Sequence, residues 1–392
     1  MDNTFSQLYA SQLVTGRGAI RFLATLGKKK AAVLYDGRIL DEGKKAAVAA
    51  ILQAGGCEAR FVADIRNEPF FSDILAAAED VRAFGPDLFV AIGGGSVMDT
   101  AKAVWLFYEH PELPFADAFI PFALPPSTGQ AIIAAVPTTS GTGSETTCCA
   151  VFTDQETKAK SLMLSYHIMP AYAILDADFT DTMPDSIAAF TGMDALTHAL
   201  EAAVCKAASP LVRSIGISAA LEMYENLPCS SGRAAGDKAA ARELCHIGAT
   251  MAGIAINNCS AGLAHTLDQA GPYFNLPHGM VCGILLPYTT AFHSPHPSYI
   301  TFGRRLGFSG GPEQICRSLV EALWQFTGQI GIPHSFREAG CDEAEFMKKI
   351  PDFISGLDTS MAANLSPRKP SPTEAAELLR AAYYGEPPLV KA

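Results

Sequence analysis

Positive charge is scarce in this chain: 29 lysines and arginines face 40 aspartates and glutamates, giving a formal net charge of −11. Without a basic face to displace phosphate counterions, general binding to nucleic acid is excluded, and anionic membrane surfaces are disfavoured for the same reason. Long apolar runs are missing as well. No stretch approaches the roughly 20 residues that a membrane-spanning helix needs, and Met1 to Ala10 has no basic flank leading into an apolar run, so no secretory signal is expected. The ten cysteines form no Cys-x-x-Cys pair and follow no regular spacing. That usage points to reduced thiols in a cytoplasmic protein rather than to a disulfide framework, and adjacent Cys148 and Cys149 read as small buried hydrophobes. No internal repeat or low-complexity tract is present.

What the chain does have is apolar bulk. With 392 residues, 49% of them hydrophobic and only 18% charged, it suits two domains, each with a substantial core. The first half alternates β-type and helix-type segments: strands at Ala31 to Tyr35, Glu58 to Val62, Leu88 to Ile92 and Ala131 to Val136, and helices at Glu42 to Ala54, Phe71 to Phe84 and Val97 to about Tyr108. Such alternation reads as a parallel sheet. After Pro184 the β-branched runs give way to alanine-rich segments with helical spacing, at Asp185 to Ala203, Pro210 to Asn226 and Ala239 to Ile256. The expected architecture is therefore an α/β domain over residues 1–183 followed by an all-helical domain over 184–392.

Two loops suit a nucleotide. The strand ending in Gly93-Gly94-Gly95-Ser96 opens directly into a helix, where glycines admit close approach and the first-turn N–H groups favour an anion. The spacing is not the usual GxGxxG, and a plain tight turn is the competing reading. A second loop, Thr138 to Glu145, follows another strand and brings hydroxyls to the same sheet edge, where ligands of doubly wound sheets bind. Asp36, just past the first strand, can accept hydrogen bonds from an adenosine ribose and repel a 2′-phosphate, which favours NAD over NADP; a solvent-exposed turn aspartate would look the same.

Asp194 and His198 stand one helical turn apart, so they present an oxygen and an imidazole to one cation, although an i,i+4 hydrogen-bonded pair has the same spacing. His265 and His278 follow in apolar surroundings. One aspartate with three histidines suits Fe2+ or Zn2+ better than Mg2+ or Ca2+. Of the remaining histidines, His110, His293, His296 and His334 sit beside prolines or loop residues, while His167 and His246 read as structural.

Taken in order, Gly93 to Lys102, Pro137 to Glu145, Gly192 to Glu201 and Pro277-His278-Gly279 resemble the motif series of the iron-containing alcohol dehydrogenases, and Pro367 to Pro370 followed by a helical Thr373 to Ala382 is similar to that family's ending. The sub-patterns are most similar to the propanol and propanediol dehydrogenases. The resemblance implies a dinucleotide domain, a helical metal domain, an active site in the cleft between them, and hydride exchange between NAD(H) and a small aldehyde or primary alcohol. It carries the metal-ligand role onto Asp194, His198, His265 and His278, and cofactor contacts onto Asp36, Gly94, Gly95, Ser96, Thr138, Thr139, Thr142, Lys160 and Leu175. Asp99 and Lys102 match the motif too. A homodimer or larger homo-oligomer is expected.

One departure concerns proton transfer. Where the family places a histidine one turn after the third ligand, this chain has Gln269, and counting back from His278 puts Asp268 opposite the missing ring. Asp268 is therefore the candidate catalytic proton carrier, with a hydrogen bond that orients His265 as the competing role. Two other readings stand beside the dehydrogenase. A lyase resembling dehydroquinate synthase would return the hydride within one cycle, but the basic residues for a phosphorylated substrate are missing near His265 and His278. The other is a nonenzymatic metal or nucleotide binder. A metal-free maleylacetate reductase is opposed by the retention of Asp194.

Overall fold

The computed structural model describes residues 7–66, 71–153 and 160–390, without the side chains of Thr153 and Lys160. The chain divides into two compact units, Tyr9–Met183 and a second one from Pro184 onward.

The first unit is built on a sheet whose strands are β1 (Gln12–Thr15), β2 (Lys30–Tyr35), β3 (Glu58–Asp64), β4 (Leu88–Gly93), β5 (Ile132–Pro137) and, numbered past a separate hairpin of β6 (Cys149–Thr153) and β7 (Lys160–Leu164), β8 (Tyr172–Leu175). Their spatial order is β1-β8-β5-β4-β2-β3, and every pairing within it is parallel. Helices α1 (Glu42–Ala54), α2 (Phe71–Phe84) and α3 (Gly95–Glu109) connect the strands.

Alternation along the central strands sorts their side chains between two cores. Ala32, Leu34, Phe89, Ala91, Ile133 and Ala135 pack with Ile74, Ala78 and Val81 of α2 and with α3. Ala31, Val33, Val90, Ile92, Ala134 and Val136 pack with Val48 and Leu52 of α1 and with Ile20 and Leu23. Because both faces are covered, these strands read as continuous apolar runs, which is what made them visible in the sequence. β1, β8 and the β6–β7 hairpin escaped that reading. They are four or five residues long, so even the apolar run of β8 is too short to separate a strand from a buried loop, and β1 is largely exposed.

The sheet order reverses at β2, whose neighbours are β3 on one side and β4 on the other. Crevices at such reversals, outside the carboxyl ends of the strands, are where doubly wound sheets take ligands. Here the ends of β2 and β4 adjoin, and the Asp36 N–H donates to the Ile92 carbonyl at 3.2 Å.

The second unit holds α4 (Asp185–Val204), α5 (Pro210–Ser230), α6 (Lys238–Asn257), α7 (Leu263–Leu267), α8 (Ala270–Phe274), α9 (His278–His293), α10 (Pro297–Arg305), α11 (Pro312–Gln329), α12 (Glu343–Phe353), α13 (Met361–Leu365) and α14 (Pro372–Tyr384). α4 lies among α5, α6 and α9, and from Met193 to Val204 it is buried on every side. Small residues permit this: a Cβ on Gly216 of α5 would fall 2.7 Å from the Ala199 carbonyl of α4. The helix starts follow local chemistry. Ser209 caps α5 ahead of Pro210, and Ser371 and Glu374 form a capping box on α14. No helix among the described residues is long and apolar enough to cross a membrane, and no disulfide links the cysteines.

One buried cation fastens the loop that follows β5 to α3. Lys102 is fully enclosed, and its Nζ donates to Ser144 Oγ at 2.8 Å, Thr147 Oγ1 at 3.3 Å and the Cys149 carbonyl at 2.6 Å. Ser144 in turn donates to Asp99 Oδ1 at 2.6 Å, and Asp99 Oδ2 accepts from the Val151 N–H at 2.9 Å. Burial pulls the Lys102 ammonium below its ordinary pKa, against the opposing charge of Asp99. Lys102→Met is expected to leave buried acceptors unpaired and to lower stability by on the order of 3 kcal/mol. Thermal denaturation checks this, and an unchanged melting temperature contradicts the role assigned to the ammonium.

Candidate metal centre and dinucleotide loops

Three imidazoles turn their Nε2 atoms toward a single carboxylate oxygen. Asp194 Oδ1 lies 3.6 Å from His198 Nε2, 3.3 Å from His265 Nε2 and 3.3 Å from His278 Nε2. α4 supplies Asp194 and His198 one turn apart, α7 supplies His265, and the first residue of α9 supplies His278.

Two glycines allow the approach. A Cβ on Gly279 would sit 1.9 Å from the Phe190 carbonyl of α4 and 3.3 Å from Asp194 Cβ, so only glycine lets the start of α9 rest there. A Cβ on Gly262 would meet the Glu201 carboxyl at 2.8 Å.

Behind the rings stand two more buried carboxylates. Glu201 Oε2 holds His265 Nδ1 at 2.6 Å, and Glu201 also accepts the Gly262 and Ala264 N–H groups, each at 2.7 Å. Asp268 Oδ2 holds His278 Nδ1 at 2.7 Å. These contacts fix ring orientation and direct Nε2 forward, the usual way a ligating histidine is prepared. His198 differs: its Nδ1 is buried with no hydrogen-bond partner among the described residues.

Asp268 thus corrects one expectation. Its carboxylate meets Nδ1 of His278, the first residue of α9, because α9 packs against α7. The carboxyl is 1% exposed, which suits a fixed support rather than a group that meets substrate. Gln269, at the position where the resemblance placed an extra histidine, donates from Nε2 to Asp268 Oδ1 at 3.5 Å.

Electrostatics calls for a cation. Burial works against charge on Asp194, yet the imidazoles of His198 and His278 hold its carboxyl well below the usual range. Burial also opposes imidazolium at His265 and His278, but Cys282, Glu201 and Asp194 push His265, and Cys282, Asp194 and Asp268 push His278, well above the ordinary pKa. His198, where burial dominates, is pulled down to about 4. Asp194, Glu201 and Asp268 are buried together, and ring protons answer their charge. A divalent ion at the point where the Nε2 atoms converge supplies the same charge with the ring lone pairs turned toward it. The donor set, nitrogen with carboxylate oxygen, fits Fe2+ or Zn2+.

A fifth candidate donor stands beside these four. Cys282, one turn into α9 from His278, belongs with Asp194, His265 and His278 to a group whose donor atoms all lie within 4.8 Å of one another. The signal was in the sequence as an i,i+4 His-x-x-x-Cys pair.

Apart from Lys160, the cofactor candidates lie at or just beyond the carboxyl ends of β2, β4, β5 and β8. Gly94 caps α3, and a Cβ on Gly95 would lie 2.9 Å from Thr142 Cγ2, so the glycine loop nests against the second loop. β4 and β5 pair through Gly93 and Pro137, and the Thr138 N–H donates to the Gly93 carbonyl at 3.0 Å. Ser96 is exposed, Thr139 and Thr142 are half-buried, and Thr138 is buried. Leu175 ends β8 with its side chain buried and its carbonyl accepting from the Gly16 N–H at 3.1 Å. Lys160 opens β7, and its side chain lies outside the described residues. Asp36 is not an open turn aspartate: Arg38 donates to it from Nε at 2.9 Å and Nη2 at 2.7 Å, and the Arg38 N–H adds a third bond at 2.8 Å.

Residues 10–177 match the family described as iron-containing alcohol dehydrogenase, and residues 188–383 match its C-terminal counterpart, the Fe-containing alcohol dehydrogenase family, C-terminal. The chain is 35% identical to an NADPH-dependent butanol dehydrogenase of Clostridium saccharobutylicum, covering 94% of this chain and 96% of that protein. It is 32% identical to the bifunctional aldehyde-alcohol dehydrogenase AdhE of Escherichia coli (strain K12), over 94% of this chain but only 44% of that longer protein. The solved structure of an iron-containing alcohol dehydrogenase from Thermococcus thioreducens superposes with a TM-score of 0.88 at 31% identity, covering 97% of this chain and 100% of the other. These matches, over both the sheet-bearing unit and the helices that enclose the histidine–carboxylate cluster, place the chain among the iron-type dehydrogenases. The chain belongs to the iron-containing alcohol dehydrogenase family.

Two outcomes follow from the site. Asp268→Asn, which removes the charge behind His278, is expected to weaken metal binding about 10–100-fold with the fold retained, as measured by titration of the metal-free protein; unchanged affinity contradicts the supporting role. Gly279→Ala must move the start of α9 away from Phe190, and a lowered metal content at unchanged helix content is the expected result.

Proposed function

We propose that this enzyme exchanges a hydride between NAD(H) and a small primary alcohol or aldehyde, of the propanal or propanediol kind. The observation that carries this reading is the convergence of His198, His265 and His278 on Asp194, with Glu201 and Asp268 behind two of the rings.

Within it, Asp194, His198, His265 and His278 hold the ion. A bound Fe2+ or Zn2+ acts as a Lewis acid toward the substrate oxygen. Glu201 and Asp268 are positioning residues that act through His265 and His278. The unit Tyr9–Met183 serves as the dinucleotide domain and the unit from Pro184 onward as the metal domain. Gly94, Gly95 and Ser96 take the pyrophosphate at the α3 N-terminus, while Thr138, Thr139 and Thr142 supply hydroxyls and backbone beside it. Lys160 and Leu175 complete the cofactor contacts. The protein is cytoplasmic and works as a homodimer or larger homo-oligomer.

Net consumption of NADH with propanal, abolished by chelation and restored by Fe2+ or Zn2+, is the expected result. A lyase would show no net NADH change, and a nonenzymatic binder no turnover at all. Asp36 favours NADH, although Arg38 neutralises part of its charge. The ratio of kcat/KM for NADH over NADPH is therefore expected to exceed one and to fall in Asp36→Gly, where repulsion of the 2′-phosphate is relieved. A ratio at or below one in the wild-type enzyme overturns the preference.

A further inference from the structure

We propose that Cys282 donates its sulfur to the metal, so that the site is a mixed nitrogen, oxygen and sulfur centre rather than one of histidine and aspartate alone. This rests on the metal-site reading above and extends it by one residue.

Neighbouring donors of a five-coordinate ion at metal–nitrogen and metal–oxygen distances near 2.1 Å are separated by about 3.0 to 3.6 Å, and with a metal–sulfur distance of about 2.3 Å a sulfur lies about 3.1 to 3.8 Å from a nitrogen. Asp194 Oδ1 stands 3.3 Å from His265 Nε2 and 3.3 Å from His278 Nε2. Cys282 Sγ stands 3.8 Å from His265 Nε2 and 3.7 Å from His278 Nε2. Both sets of spans are those of donors around one centre.

The side chain is also committed to the spot. Cys282 is fully buried on α9, one turn beyond His278, and its helix is anchored where Gly279 meets Phe190. His198, by contrast, lies outside the 4.8 Å group that Cys282 joins, approaches Asp194 Oδ1 only to 3.6 Å, and lacks the rear carboxylate given to His265 and His278. On binding, the thiol proton leaves to solvent and the sulfur–metal bond forms, with no change of oxidation state. A sulfur donor softens the site and moves its preference toward Zn2+ relative to an all-nitrogen-and-oxygen set.

X-ray absorption of the full-length, zinc-loaded protein is the test. A sulfur scatterer at about 2.3 Å is expected in the wild type and should be lost in Cys282→Ser, with zinc still bound. Cobalt(II) gives a second reading, a near-ultraviolet thiolate-to-metal charge-transfer band in the wild type that disappears in the same variant. If the wild type binds zinc with nitrogen and oxygen neighbours only, the sulfur assignment is overturned while the metal-site reading stands. If it binds neither zinc nor cobalt, both fall. Should Cys282→Ser misfold, the wild-type spectrum decides alone.

Discussion

Buried negative charge governs the second unit. Asp194, Glu201 and Asp268 are each enclosed by protein, where an uncompensated carboxylate is costly. Every nearby feature answers that charge. Glu201 takes two backbone N–H groups and a ring nitrogen, Asp268 takes another ring, and Asp194 receives three Nε2 atoms. The same pairs that satisfy the carboxylates set the rings in one orientation. The cluster is thereby prepared for a cation before one arrives, which lowers the reorganisation needed on binding.

Close backbone approach makes this enclosure possible. α4 is alanine-rich and tolerates helices on all sides, while Gly216, Gly262 and Gly279 mark where a neighbour comes within a side chain's width of it. Helix packing and site geometry are therefore one problem. The glycine that seats α9 on α4 also delivers His278 to Asp194, and α9 carries Cys282 to the same place one turn later.

The first unit solves a different problem, the gathering of backbone donors at one sheet edge. Reversal of strand order beside β2 places Asp36 next to the glycine loop of β4, and the β4–β5 pairing places the threonine loop on the other side of that glycine loop. Lys102 and Asp99, one turn apart on α3, hold that second loop from beneath. A loop of small residues would otherwise have little packing of its own, so the buried pair is what gives the proposed phosphate site a fixed wall.

Much of this was legible in the residues. Continuous apolar strands buried on both faces, helical periodicity after Pro184, the glycine loop and the Asp194/His198 spacing are local patterns, and local patterns survive in a one-dimensional string. The short strands β1 and β8 did not, since edge and near-edge strands of four residues owe their form to partners far away in the chain. Nor could spacing reveal that Asp268 supports His278: the two meet because α9, which begins at His278, packs against α7. Arg38 closing on Asp36, Glu201 reaching across to His265, and Cys282 arriving beside two imidazoles are likewise products of the folded chain. The sequence determined which donors exist and on which helices and strands they stand. Tertiary structure decided which of them meet, because only packing at glycine-sized clearances converts separations of about sixty to ninety residues into the contacts of a few ångströms on which hydrogen bonds and ligation depend.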